Sequence, residues 1–162
     1  MKTRNLILWG VTLLTLVLIN YQAYQREQLA LKGRVILLKL VPVDPRSLMQ
    51  GDYMQLRYAL AEEIETQTGL ERGQVVVHID SNNVVHYLRI YDSVTPLTEN
   101  EILLPFRRDY TVYVGPRSFF FQEGHAQYYD DAEYGEFRLL ESGSILLVGL
   151  RDAHFKPLGP PN

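Results

Sequence analysis

The first feature of the chain is an apolar run that follows the basic start "MKTR". Residues 5–25 carry no charged side chain. A helix rises about 1.5 Å per residue, so a run of this length could cross the roughly 30 Å hydrocarbon core of a bilayer. Trp9 and Tyr21 lie towards its two ends, where interfacial aromatic residues are common. The pattern predicts a short tail at 1–4 and an uncleaved transmembrane anchor over 5–25.

A cleavable signal peptide is the alternative interpretation of the same run. Signal peptidase requires small residues three positions and one position before the cut. A cut after Ala23 would place Tyr21 at the first of these positions, and a cut after Ala30 would place Gln28 there. Both are poor sites, so the anchor is the preferred interpretation.

The remainder of the chain consists of short apolar or alternating runs separated by turn residues. Residues 26–33 contain helix formers and end at Gly33, which predicts a helical linker. "QVVVHID" and "VVHYLRIY" flank "SNN", the composition of a β-hairpin. Further short strands follow, so 34–158 is predicted to form a mainly β (α+β) domain that is antiparallel and either barrel-like or a sandwich. Residues 159–162 are predicted to be a flexible tail.

One or two short helices are expected within this domain. Asp44 can cap a single helical turn that Pro45 begins and Gly51 closes. "EGHAQYYDDAEYG", which stops at Gly135, is the more convincing helix. "AEEIETQTGL" is either a short helix or an irregular excursion.

The stretch "DYMQLRYAL" alternates with the period of a strand. One face carries apolar side chains, namely Met54, Leu56, Tyr58 and Leu60. The opposite face carries Tyr53, Gln55, Arg57 and Ala59. The first face is expected in the core, and the second face is expected to be accessible.

Composition narrows the classes of function. Hydrophobic residues make up 46% and charged residues 22% of the chain, as in an ordinary globular protein. The formal net charge of -3 gives no reason to expect nucleic acid as a partner. The chain has no cysteine, which rules out disulfides and thiolate metal ligands. No cofactor and no metal are predicted.

Two histidines lie on the predicted hairpin and raise the question of a metal site. With a turn centred on Ser81 and Asn82, His86 would pair with Val77. His78 would then face the opposite side of the sheet, because paired residues share a face. The histidines are therefore interpreted as exposed strand residues.

No catalytic constellation stands out in the sequence. "RSLMQGD" resembles the end of the type I signal peptidase box, with Ser47 at its threonine position, but the nucleophile position is Val43. That chemistry also needs a lysine base, and no lysine occurs between Lys39 and Lys156. The protein is expected to be non-enzymatic, with a degenerate hydrolase as the least favoured alternative.

The stretch "GDYMQLRY" resembles the pattern that names the GDYXXLXY family at each defined position: Gly51, Asp52, Tyr53, Leu56 and Tyr58. A second region, "GPRSFFFQEGHAQYYDDAEYGEFRL", is similar to the C-terminal half of that family. The resemblance implies a membrane-anchored bacterial protein whose relatives tend to be encoded beside polytopic membrane proteins. It carries over no catalytic residue.

The motif has two interpretations. In the structural one, Gly51 permits a positive φ and Asp52 accepts hydrogen bonds from amides of the preceding turn. In the other, an accessible face of tyrosine and arginine recognises a partner, because these residues are favoured at binding hot spots. The candidate interaction surface comprises Tyr53, Arg57, Phe121, Glu123 and Tyr129.

The sequence therefore favours an accessory or assembly subunit of a polytopic membrane protein. The expected location is the bacterial inner membrane, with a single span, a cytoplasmic N-terminus and a periplasmic or extracytoplasmic β domain. The alternative is a periplasmic sensor domain that binds a small ligand or a peptide. For that alternative, the aromatic residues at 119–121 and 128–129 could line a pocket.

Overall fold

The computed structural model of the chain describes residues 2–41, 53–98, 100–140 and 143–161. Two compact units are present, Met1–Gly33 and Arg34–Asn162. The predicted helical turn over 44–51 lies outside the described residues, as do Gly51 and Asp52 of the motif.

The first unit contains one helix, α1 (Lys2–Lys32), which covers the predicted anchor and the predicted linker up to Lys32. The side chains of Thr12, Thr15 and Asn20 each donate to a backbone carbonyl four residues earlier, at 2.9 Å. Helical structure over 5–25 is thus present as predicted. Within the described residues, no helix is both long enough and apolar enough to cross a membrane, so the structure does not support the transmembrane prediction.

The second unit is built mainly from strands. They are β1 (Arg34–Lys39), β2 (Tyr53–Gln55), β3 (Arg72–Ile79), β4 (Val85–Ile90), β5 (Glu101–Arg108), β6 (Val112–Tyr113), β7 (Ser118–Phe120), β8 (Tyr134–Leu139) and β9 (Ile145–Arg151). One helix, α2 (Ala59–Gln67), follows β2, and a 3-10 turn covers Ala126–Tyr129.

The strands form three antiparallel sheets, with the orders β1-β8-β9, β2-β7 and β4-β3-β5-β6. Isolated bridges join Leu40 with Tyr58 and Leu37 with Val84. The Leu56 amide also donates to the Arg117 carbonyl at 2.8 Å, which extends the β2-β7 pairing. The sheets together form a half-barrel, so the prediction of a mainly β, antiparallel domain is confirmed, and the barrel-like alternative applies rather than the sandwich.

The hydrophobic core lies between these sheets and α2. Its fully buried side chains include Ile36, Leu38, Ile64, Val75, Val77, Leu104, Phe106, Phe137 and Leu150. The helix contributes Leu60, Ala61 and Ile64, whose spacing places all three on one face.

The helical assignments from the sequence need correction. The segment 123–135 contains no α-helix, and only the 3-10 turn forms there. Gly124, at a φ of 78°, interrupts the chain at one end, and β8 begins at Tyr134. The segment after the motif, which the sequence left open between helix and irregular structure, is the one that forms an α-helix. It buries a continuous face, whereas Asp130, Asp131 and Glu133 of the other segment are exposed.

The predicted hairpin register is also wrong. Ile79 pairs with Val85 and His78 pairs with His86, so the two histidines share a face. The loop has three residues rather than two, and Asn83 adopts a positive φ of 64°. The Asp80 carboxylate accepts hydrogen bonds from the amides of Asn82 and Val84, both at 2.8 Å, which stabilises this longer loop.

Candidate functional site

Burial alternates over the motif region as predicted, although strand structure covers only Tyr53–Gln55 and Leu60 already lies in α2. Met54, Leu56, Tyr58 and Leu60 are between 2% and 5% exposed. Gln55 and Arg57 on the opposite face are exposed, and Tyr53 is half-buried. The described part of the motif thus contributes an apolar face to the core and a polar, aromatic face to the exterior.

Tyr58 connects the end of the motif to the β7 side of the domain. Its hydroxyl donates to the Pro116 carbonyl at 2.8 Å, and its ring contacts Phe137 edge-on with centroids 5.8 Å apart. Burial raises the pKa of the Tyr58 phenol well above its usual value. These contacts give Tyr58 a structural role.

The outer face of the motif opens onto a groove of about 660 Å³. Buried residues that line it are Leu56, Tyr58, Ala61 and Val112. Side chains that give it polar and aromatic character are Tyr53, Gln55, Arg57, Glu62, Glu65, Thr111, Tyr113, Arg117, Ser118 and Phe120. The lining therefore combines β2 and β7 with α2 and β6, and we call it the motif groove.

Ion pairs hold the charged side chains around the motif groove. Arg57 and Glu62 are 3.0 Å apart, which joins the end of the motif to α2. Glu65 is 3.5 Å from Arg108. Since both acids are paired with arginines, the α2 side of the motif groove carries no excess negative charge.

Aromatic rings occupy the β2-β7 side of the motif groove. Tyr53 and Phe120 pair across the two strands, with ring centroids 5.7 Å apart. Phe120 is 74% exposed, an unusual position for a large apolar side chain. The guanidinium carbon of Arg117 lies 4.2 Å from the centre of the Tyr113 ring.

The structure brings Tyr53 and Arg57 of the candidate surface to the motif groove, and it places the other three candidates elsewhere. Tyr129 is buried and stacks on the half-buried Phe121, with centroids 5.3 Å apart. Glu123 is exposed. Of the aromatic residues considered for a pocket, only Phe120 lines the motif groove.

Sequence reasoning missed the residues that complete the motif groove, in particular Tyr113, Arg117, Glu62 and Glu65. They lie on a strand, a loop and a helix that the motif's local pattern does not describe. The only signal was that Arg117 and Phe120 fall within the second stretch of family resemblance.

The chemistry of this arrangement is suited to binding. It offers aromatic rings, guanidinium groups and paired carboxylates at the edge of a cleft with a partly apolar base. Within the described residues, no three histidine or carboxylate side chains are grouped as a metal site would require. The pair of His86 and Asp80, at 3.1 Å, belongs to the β3-β4 hairpin and does not line the motif groove.

The fold and the groove define the class of the protein. It has an N-terminal helix followed by an antiparallel half-barrel, with a cleft beside the two-stranded β2-β7 sheet. The family described as GDYXXLXY protein matches residues 15–150, and the chain belongs to this family. No curated protein and no solved structure matches the chain.

Proposed function

We propose that the protein is a membrane-anchored, non-enzymatic accessory subunit that binds a segment of a polytopic membrane protein in the motif groove. The observation that carries this proposal is the convergence of Tyr53 and Arg57 with Tyr113, Arg117 and Phe120 around one cleft. Tyrosine and arginine are enriched among the residues that dominate protein interfaces.

Accessibility supports a macromolecular partner. The side chains of Arg57 and Arg117 are 58% and 51% exposed, so both can reach a partner. Phe120 adds exposed apolar area beside them. An open cleft with an apolar base and a polar edge has the layout of an interface, in which buried contacts are surrounded by polar groups.

Membrane anchoring is the part of the proposal that rests on α1. The run at 5–25 has no charged residue, and apolar side chains from Leu8 to Tyr24 are 53% to 76% exposed on all sides of the helix. Exposed apolar side chains of this kind gain free energy in an apolar environment. Anchoring in the same bilayer would raise the effective concentration of a membrane partner.

Crosslinking in intact membranes tests the proposed function. The wild-type chain is expected to form a discrete crosslink to a polytopic membrane protein. The double variant Tyr53→Ala, Arg57→Ala should reduce its yield at least tenfold without unfolding the domain.

The matched control is Arg72→Ala with Leu88→Ala, which removes one exposed arginine and one exposed apolar residue outside the motif groove. It should leave the yield unchanged. Equal crosslinking by wild type and both double variants would place the interface elsewhere, and no crosslink from the wild type would remove the accessory role.

A periplasmic sensor is the second candidate, and the size of the motif groove is the observation that favours it. Its volume of about 660 Å³ lies within the range of roughly 300–1,000 Å³ found for small-molecule sites. Native mass spectrometry of the full chain released from membranes distinguishes the two candidates. A stoichiometric small molecule that is lost in Tyr53→Ala would favour the sensor.

A further inference from the structure

We propose that the partner segment carries an acidic residue, and that Arg117 is the residue of the motif groove that binds its carboxylate. This inference rests on the proposed function, because it names the chemistry of the segment bound in the same cleft. It is carried by the placement of Arg117 relative to Tyr113, Asp109 and the two glutamates of α2.

Arg117 is oriented by an aromatic ring rather than by a close acid. Its guanidinium carbon lies 4.2 Å from the centre of the Tyr113 ring, within the distance of a cation–π contact. Such a contact leaves the N–H groups at the edge of the guanidinium plane available to donate. A planar fork presented in this way suits a carboxylate, which can accept two parallel hydrogen bonds.

The ion-pair distances show which arginine around the motif groove is held least closely by an acid. Arg57 is 3.0 Å from Glu62, and Arg108 is 3.5 Å from Glu65. Arg117 is 4.0 Å from Asp109, and these two side chains are 51% and 61% exposed. Exposed ion pairs contribute little stability, and this one is the longest of the three. An incoming carboxylate can therefore replace Asp109 at low cost.

Charge also determines where the acid binds. Glu62 and Glu65 on α2 already pair with Arg57 and Arg108, so a further carboxylate placed against that helix would have to compete with them for these guanidinium groups. Arg117 directly precedes β7, so it lies on a different element from both glutamates. The acidic residue of the partner is thus directed to the β7 side of the motif groove.

The neighbouring aromatic pair determines which kind of side chain the partner carries near its acid. Phe120 lies three residues after Arg117 and pairs with Tyr53. An extended chain advances about 3.3 Å per residue, so three residues cover about 10 Å. A partner that binds Arg117 can therefore place an apolar side chain on the Tyr53–Phe120 pair two to four residues from its acid. The expected recognition element is an acid with an apolar residue at that spacing.

Site-specific photo-crosslinking of the full chain tests this inference. A photoreactive phenylalanine analogue replaces Gln55, an exposed residue that lines the motif groove. After irradiation of intact membranes, mass spectrometry identifies the crosslinked peptide. We expect an Asp or Glu within about four residues of the crosslinked position.

Three variants in this background measure the contribution of Arg117. Arg117→Glu should lower the yield at least tenfold, and Arg117→Lys should lower it two- to fivefold because lysine keeps the charge but loses the fork. Arg72→Glu is the control, with the same change of charge at an exposed site outside the motif groove. Its yield should match that of the wild type.

A charge exchange distinguishes loss of the Arg117 contact from a folding defect of the variant. Replacing the identified acid of the partner by lysine should lower crosslinking to wild type and restore it to Arg117→Glu. Failure to restore it, an unchanged yield in Arg117→Glu, or a crosslinked segment without an acid overturns this inference and leaves the proposed function standing. The absence of any crosslinked polypeptide at position 55 in the wild type overturns the proposed function instead.

Discussion

Close packing explains why position 135, in the second stretch of family resemblance, is a glycine. Gly135 in β8 is buried, and a Cβ atom there would lie 2.9 Å from the Phe137 ring and 3.5 Å from the Tyr58 ring. Phe137 is fully buried, so its ring cannot swing into solvent. Tyr58 of the motif and Gly135 therefore pack against the same Phe137 ring, although they are distant in sequence.

Gly135→Ala is predicted to destabilise the domain by about 1–3 kcal/mol, since overpacking a filled core forces side chains from their preferred positions. Gly149→Ala is the matched control, because Gly149 lies on the neighbouring strand β9 and a Cβ there meets nothing within 4 Å. Chemical denaturation of the full chain compares the two. Equal shifts would show that the ring contact has no energetic consequence.

At the same scale, the sequence predicted the two faces of the motif correctly because side-chain alternation in a strand is a local property. The burial of Met54 and Leu56 and the exposure of Arg57 follow from that period alone. The contribution of Arg117 could not be predicted, because it depends on the pairing of β2 with a strand more than sixty residues later. Long-range pairing leaves no local pattern in either segment.

At the scale of elements, most strands were located from the sequence, but β7 was not predicted and β2 is shorter than its alternating segment. Loops were predicted less well. The β3-β4 hairpin was located, but its register depended on whether Asn83 adopts a left-handed conformation. Asparagine tolerates that conformation, and composition does not distinguish a two-residue loop from a three-residue loop. The helix α2 was left undecided because only Leu60, Ala61 and Ile64 supply its apolar face.

The loop after β4 yields a prediction about acid stability. Hydrogen bonds from the amides of Thr95 and Val94 and from the Thr95 hydroxyl lower the pKa of Asp92 to about 2, from 3.8. A carboxyl group whose pKa is lower in the folded state than in the unfolded state stabilises the fold. This contribution is complete at pH values above the unfolded-state pKa, and it is lost as the pH falls through the folded-state pKa. The stabilising contribution of Asp92 should therefore decline between pH 3.8 and about 2.

Asp92→Asn keeps an oxygen acceptor but removes the charge, so it should lower the melting temperature near pH 7 and approach the wild type near pH 2. Thermal melts of the full chain across this range provide the measurement. Asp131→Asn, at an exposed position in another loop, corrects for the loss of one surface charge. A difference between Asp92→Asn and wild type that stays constant from pH 5 to pH 2 would contradict the role assigned to these hydrogen bonds.

At the scale of the whole molecule, the proposed anchor is the feature on which the choice of partner depends. A half-barrel with an open groove could bind many proteins, whereas attachment to a bilayer restricts it to those at the same membrane. The helix carries Trp9 and Tyr21 towards the ends of its uncharged run. Its central side chains, including Leu13, Leu14 and Leu16, are apolar and exposed. Membrane attachment is therefore the property to test first.

The wild-type chain is predicted to remain in the membrane fraction after an alkaline wash, with an intact mass that includes 1–33. Leu14→Arg should release a large share of the protein, because an arginine at the centre of a spanning helix costs about 2.5–3.5 kcal/mol. Leu88→Arg, at an exposed site on β4, adds the same charge to the β domain and should leave fractionation unchanged. A mature chain beginning near Tyr24 would establish the signal-peptide interpretation instead. A full-length wild-type chain in the soluble fraction would contradict both interpretations of the N-terminal run.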